Sequence, residues 1–242
     1  MPLQTVEPHR LYRQIAGQLR SLIAAGEFLP GNRLPAERDL ARQLGVSRPS
    51  VREALIALEV EGMVDVRTGS GIYVVQAGTK RHDAAAGKGD SHDNAEWGPL
   101  ELMRARELVE SEVAALAARH ARAPHIAAID SALAHMRDQA GAGIVPRDGD
   151  EAFHAAIAQA CGNEVLRDTV LGYWKARRGA LFERLGDYFD NPASWSAALV
   201  EHAVVLAAVR AHDPGAARRA MQSHLKKACS RYSASWRRAN TP

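Results

Sequence analysis

The chain has 242 residues, enough for one large domain or two ordinary ones, and is 46% hydrophobic but only 5% aromatic. The Ala- and Leu-rich mix favours helices over a β-rich fold. The net charge is only +3. No apolar run approaches the ~20 residues of a membrane helix, and MPLQTVEPHRLYR lacks the apolar core of a signal peptide. Cys161 and Cys229 form no metal or disulfide spacing. The expectation is a cytoplasmic protein without a membrane partner.

From the N-terminus, Leu11, Ile15, Leu19, Leu22 and Ile23 recur at helical spacing. Gly26 and Pro30-Gly31 break the chain. A short helix is predicted over about 36–44, with Leu40, Ala41 and Leu44 inward and Gly45 at its end. Ser47 is a good N-cap for a third helix, whose first turn tolerates Pro49 and whose inward stripe is Val51, Ala54, Leu55 and Leu58. After Gly62, residues 63–67 and 72–75 read as two strands around Thr68-Gly69-Ser70-Gly71. Three helices followed by a two-stranded wing define a winged helix-turn-helix over residues 1–76.

Residues 77–97 are rich in Gly, Ala, Asp, His and Lys with no large apolar residue before Trp97, the composition of a flexible linker. Beyond it no strand is predicted. Helices are expected at about 99–121, 124–141, 148–161, 163–187, 192–212 and 214–236. Their breaks fall at Pro124, Gly141/Gly143/Pro146, Gly162-Asn163, Asn191-Pro192 and Asp213-Pro214. The fold class is mostly α, the second domain (98–238) an antiparallel all-helical bundle.

Charge is unevenly spread. Eight arginines between Arg10 and Arg52 face only Glu27, Glu37 and Asp39, whereas Glu53, Glu59, Glu61 and Asp65 oppose Arg67 alone. Arg48 and Arg52 lie one turn apart on the third helix, away from its apolar stripe. An arginine fork near the start of a helix in the major groove can pair with guanine O6 and N7. Ser47 and Ser50, with free N–H groups at the helix start, suit phosphate oxygens. Arg38 could reach the backbone or a base edge, and a glycine-rich wing tip could approach the duplex closely. An ordinary solvated helix with Arg52 paired to Glu53 or Glu59 remains the competing reading of the arginines alone; the helix–turn–helix–wing context favours DNA.

In the second half, Asp150 and His154 in GDEAFH share a helix face, and His202 and His224 lie on two other predicted helices. One carboxylate and three imidazoles could hold zinc, nickel or another divalent metal. With ten histidines in the chain, an Asp and a His four apart also arise by chance, and His154 behind Phe153 could be a core residue.

LPAERDLARQLGVSRPSVREALIALEVEGMVDVRTGSGIYV, residues 34–75, resembles the DNA-binding domain of GntR-family regulators, and VREAL their FadR-like branch. The resemblance implies DNA contacts at Arg38, Arg48, Arg52 and Thr68-Gly69, and a homodimer on a palindromic operator. Many relatives carry Ser or Thr where this chain has Ala36. DxxFHxxIxxAxGN (150–163), EHxxxLxAxxxxD (201–213) and MxxHL (221–225) resemble the FCD ligand-sensing domain. This implies that Asp150, His154, His202 and His224 bind a divalent cation, and that Arg106, in RARELVESE, helps hold an acidic ligand. Arg177 is a further ligand candidate. The competing roles are salt bridges to Glu110 for Arg106 and Glu183 for Arg177. RPSVREALIALEVEGMVDVRTGSGIYV, GPLELMRARELVES and GDEAFHAAIAQA are similar to the hexuronate-responsive branch, implying a uronic or aldaric acid effector. The function expected is a non-enzymatic DNA-binding repressor modulated by a small carboxylate at the metal. A purely metal-responsive regulator and a metalloenzyme fused to a DNA-binding module are the alternatives.

Overall fold

A computed structural model of the chain describes residues 11–67, 70–75 and 97–239. Thr68 and Gly69 lie outside the described residues, as does the expected linker apart from Trp97. The chain divides into two compact units, the larger comprising Pro99–Ser235.

The smaller unit is built on α1 (Leu11–Ala24), α2 (Glu37–Leu44), α3 (Arg48–Val60), β1 (Val64–Arg67) and β2 (Gly71–Val74). α1 buries Tyr12, Ile15, Ala16 and Leu19, leaving Leu11 and Leu22 largely exposed. The inward stripe is thus rotated from the one the leucines predict, because Tyr12 rather than Leu11 enters the core. Gly45 takes a left-handed conformation (φ 66°) that lets α2 end and α3 begin within a few residues. α3 contributes Val51, Ala54, Leu55, Ile56 and Leu58 to the core. β1 and β2 pair antiparallel, with Val64 opposite Val74 and Val66 opposite Ile72, all four buried. The strands are backed by a segment the sequence reads only as a break. Leu34 N–H donates to Ile72 O at 2.8 Å, and Val74 N–H to Asn32 O at 2.9 Å.

The larger unit contains α4 (Pro99–His120), α5 (Ala123–Gly141), α6 (Arg147–Ala160), α7 (Glu164–Ala176), α8 (Ala180–Phe189) and α9 (Pro192–Arg210). It also holds most of α10 (Pro214–Ala239). Asn163 caps α7 through Leu166 N–H at 3.1 Å. The single helix expected over 163–187 is two, since Gly179 is extended (ψ 154°) and caps α8. The break turns Arg177 and Arg178 towards α6, where they pair with Asp150 and Glu151. Gly149 sets the approach of α6 to α5: a Cβ there would lie 2.5 Å from Met136 Cγ and 3.0 Å from its Cα. Among the described residues only α9 is long and apolar enough to cross a membrane. In this fold it packs on α4 and α5 and buries His202.

Candidate functional site

In the smaller unit the helix start at Arg48 carries the candidate DNA-contacting groups. Ser47 is exposed, and its Oγ accepts from Ser50 N–H at 3.3 Å and lies 2.8 Å from Ser50 Oγ. Arg38 is largely exposed on α2. Arg48 is half-exposed, and its Nε donates to Glu37 Oε1 at 2.8 Å. Arg52 departs from expectation. It is buried, and its Nε and Nη2 donate to Glu37 at 3.0–3.2 Å. Helical periodicity puts Arg52 opposite the apolar stripe, but α2 closes over that face and supplies a buried acid. Glu37, counted in the sequence only as an opposing charge, thus holds both arginines, and Arg48 meets it through Nε alone.

In the larger unit, Asp150 and His154 from α6, His202 from α9 and His224 from α10 converge. One ligand atom of each lies within 4.8 Å of the others, and all four residues are buried. Every imidazole is held at Nδ1 by an oxygen that can only accept: Glu110 Oε2 for His154, Ala198 O at 2.7 Å for His202, and Glu201 Oε2 at 2.9 Å for His224. The protons therefore sit on Nδ1, and the Nε2 lone pairs of His154 and His202 face each other at 3.3 Å. Asp150 Oδ1 is 3.1 Å from His202 Nε2 and 3.6 Å from His154 Nε2. Lone pairs and a carboxylate this close repel unless positive charge stands among them. Tetrahedral zinc–imidazole bonds of ~2.0–2.1 Å place neighbouring donors about 3.4 Å apart, so the spacing fits a metal.

Protonation fits too. Burial pushes the His154 imidazole down, against the pull of Glu110, and pushes His224 down to about 3 with help from His202. Burial alone would raise the Asp150 carboxyl. Its neighbours His202, His154 and the Arg177 guanidinium instead hold it well below the usual range. At neutral pH the set is one carboxylate with at least two neutral imidazoles, the ligating form.

Sequence reasoning named Glu110 only as a salt-bridge partner for Arg106, a pair the structure contains, and gave Glu201 no role. Glu110 also accepts from Arg106 Nε at 2.5 Å, and Glu201 takes Arg231 through both oxygens at 2.8 and 2.9 Å. Burial opposes both charges, yet Arg106 and His154 bring Glu110 to about 2, and His224 and Arg231 bring Glu201 to about 2. The only signals were the Arg106–Glu110 spacing and the Glu201-His202 pair. Carboxylates behind ligating imidazoles fix ring orientation and raise basicity.

Beside the cluster lies a cavity of about 60 Å³, lined by Arg106, Asp150, Arg177, Trp195, His224 and Arg231 among others. Arg106 is 2% exposed, and its Nη2 has no hydrogen-bond partner. The salt bridge to Glu110 therefore leaves one guanidinium nitrogen unpaired, on a residue that lines the cavity. Arg177 pairs with Asp150 at 3.5 Å, not with Glu183 as its competing reading had it. The cavity can take a small anion at the edge of the Asp/His cluster.

A winged helix-turn-helix joined to a helical unit with such a cluster and cavity is the architecture of a ligand-responsive transcription regulator. Residues 11–74 match the model "Bacterial regulatory proteins, gntR family" and residues 101–227 match "FCD domain". The chain belongs to the GntR family of DNA-binding transcription regulators, with an FCD domain, and is not an enzyme. It is 38% identical over 229 residues to the "Exu regulon transcriptional regulator" of Escherichia coli K12, covering 93% of this chain and 85% of that one. It is 36% identical over 222 residues to the same organism's "Uxu operon transcriptional regulator", covering 90% and 84%. Among solved structures, E. coli McbR/YncC matches with a TM-score of 0.50 at 21% identity, covering 94% of this chain and 99% of that one, a likeness of fold.

Proposed function

We propose that the protein is a cytoplasmic, homodimeric repressor whose hold on palindromic operator DNA is altered by a small carboxylate, a hexuronate, bound beside a divalent metal. The observation that carries this reading is Arg106 Nη2, a buried guanidinium nitrogen without a hydrogen-bond partner, on a cavity shared with Asp150 and His224. A buried, unsatisfied cationic donor suits a carboxylate. Asp150, His154, His202 and His224 would hold the metal, zinc first, with nickel or another transition metal also compatible with the donors. When bound, the ion adds positive charge that draws the carboxylate. Arg106 orients that carboxylate, Arg177 flanks it, and Glu110, Ala198 and Glu201 keep the rings aimed inward. The relatives' names, Exu and Uxu regulators, support a hexuronate.

For DNA, Arg48 and Arg38 read the duplex, Ser47 and Ser50 meet phosphate, and Thr68-Gly69 form the wing contact. Arg52 acts through Glu37 to set Arg48. The homodimer is supported by α9, which leaves Ala197, Val200, Val204 and Ala207 exposed at three- and four-residue spacing, an apolar stripe suited to a second copy. Differential affinity of the acid for two states of the dimer shifts the DNA-bound population.

The test is a thermal-shift screen of sugar acids and short hydroxy acids with and without chelator, paired with anisotropy on a duplex selected by the protein from a randomised pool. A sugar acid should stabilise the metal-loaded protein, lose that effect with chelator and change DNA affinity. DNA release by metal alone, with no acid active, would establish the metal-responsive alternative instead.

A further inference from the structure

Among the described residues, three buried side-chain nitrogens have no hydrogen-bond partner: Arg106 Nη2, Trp174 Nε1 and Trp195 Nε1. A carboxylate accounts for the first. The indoles are left over, and an indole N–H can only donate. Trp174 is 4% exposed, with Arg106 Cζ 4.5 Å and Arg177 Cζ 4.2 Å from its ring centroid. Both guanidinium groups stack over its ring, and the N–H at the ring edge is its one polar group. Trp195 stands in the first turn of α9.

Both indoles line a second cavity of about 300 Å³, which shares Arg177, Asp190 and Trp195 as walls with the smaller cavity beside the Asp/His cluster. The residues that carry the three unpaired donors, Arg106, Trp174 and Trp195, therefore line two adjoining spaces. The arginines of that space are matched by acids: Arg147 with Asp190 at 2.6 Å, Arg178 with Glu151 at 2.7 Å, and Arg177 with Asp150 at 3.5 Å. The larger cavity thus offers neutral donors and balanced charge. A second carboxylate or a phosphate would find no uncompensated cation on these walls, whereas hydroxyl or ring oxygens would find the indoles.

Resting on the carboxylate-effector reading above, we propose that Trp174 and Trp195 are specificity-determining residues that donate to uncharged oxygens of the effector beyond its carboxylate. They select a polyhydroxylated monocarboxylic acid over a short hydroxy acid and over a sugar diacid. A site built to hydrogen-bond oxygen rejects a ligand without it, because the donors then stay buried and unpaired.

The experiment is calorimetric titration of the full-length, zinc-loaded protein with D-galacturonate, D-glucuronate, D-galactarate and glycolate. The wild type should bind a uronate more tightly than galactarate or glycolate. Trp195→Phe and Trp174→Phe keep the ring and remove the donor. Each should weaken the uronate about tenfold, equivalent to ~1.4 kcal/mol, and leave glycolate unchanged. A merely structural role would weaken both acids together. Trp195 is the less buried of the two, so its variant decides the matter if Trp174→Phe does not fold. Equal losses for uronate and glycolate, no loss for either, or a preference for galactarate would each overturn the proposal. Binding of glycolate without either uronate would overturn it and leave the carboxylate reading standing. Binding of none of the acids would remove both.

Discussion

Both units bury a glutamate against arginine, and they turn the result in opposite directions. In the smaller unit Glu37 takes Arg52 through two nitrogens and Arg48 through Nε. The inner arginine is consumed and the outer one is held half-exposed. In the larger unit Glu110 divides its oxygens between Arg106 and His154, and Glu201 takes Arg231 through both oxygens while Oε2 also holds His224. There the carboxylates fix imidazoles that face inward. One arrangement leaves a guanidinium half-exposed at the start of a helix. The other orients neutral nitrogens around a space for something small. The same residue types therefore build an exposed cation or an enclosed set of ligand atoms, according to whether the last group in the chain of hydrogen bonds is exposed.

The largest expected effect separates the two arginines of the first arrangement. Arg52→Ala removes the partner that neutralises a 6%-exposed Glu37. Breaking a buried pair from one side costs about 3–5 kcal/mol, enough to abolish the cooperative melting transition of this unit or lower it sharply. Arg48→Ala breaks a half-exposed contact and should change stability by about 1 kcal/mol or less. It should nevertheless weaken selected DNA by about 1–3 kcal/mol, the worth of one bidentate base contact. Melting curves and anisotropy on both variants check this. If Arg52→Ala melts like wild type, Glu37 does not organise the fork.

Sequence spacing made some of this arrangement legible because the signals are local. Gly45 and Ser47 mark the turn into α3, Asn163 marks the start of α7, and the four-residue interval of Asp150 and His154 puts them on one face of α6. Arg52 was misjudged in its burial, since one helix's periodicity says nothing of the acid that a neighbouring helix brings over it. Glu110 meets His154 across 44 positions and Glu201 meets His224 across 23. Such pairings come from packing, including the close approach at Gly149, and no interval in the sequence encodes them. The membership of His202 and His224 was legible through motifs resembling the FCD domain, while the indoles were invisible because an unpaired donor is defined by what surrounds it. The break at Gly179 was missed because, unlike Asn163 before α7, the residue that caps α8 has no side chain to mark a helix start.

A second, smaller effect tests the inward arrangement. His154 and His224 have their pKa values lowered by burial, so the folded, metal-free protein favours the neutral rings. The unfolded chain takes up these protons near pH 6.5. Their contribution is therefore complete above pH 6.5 and is lost as pH falls from there, for His224 down to about 3. Glu110 and Glu201, held at about 2, add loss in the same direction as pH falls from about 4.5 towards 2. The chelated protein should lose on the order of 1–2 kcal/mol between pH 7.5 and 5.5, read as a falling melting temperature of the larger unit. A flat profile would mean that the rings are not held neutral, and the match of the cluster to a cation would lose its electrostatic support.

The smallest effect returns to the DNA-binding unit and asks whether it is stabilised independently of its arginines. Ala36 occupies the N-cap of α2 with φ −62° and ψ 148°, the extended backbone a capping residue adopts, yet no side chain bonds the helix start. Ala36→Ser supplies an Oγ that can accept from a backbone N–H in the first turn, worth about 1 kcal/mol. Glu37 is the first residue of α2, so a firmer start also steadies the acid that holds Arg48 and Arg52. The substitution should raise this unit's melting temperature by about 4–8 °C while leaving the larger unit's transition in place. DNA affinity should hold or rise slightly, because Ala36 itself carries no group that contacts the duplex. A gain in stability with a loss of DNA affinity would show that α2 must yield for Glu37 to release Arg48, and would turn the fixed support inferred here into a moving one.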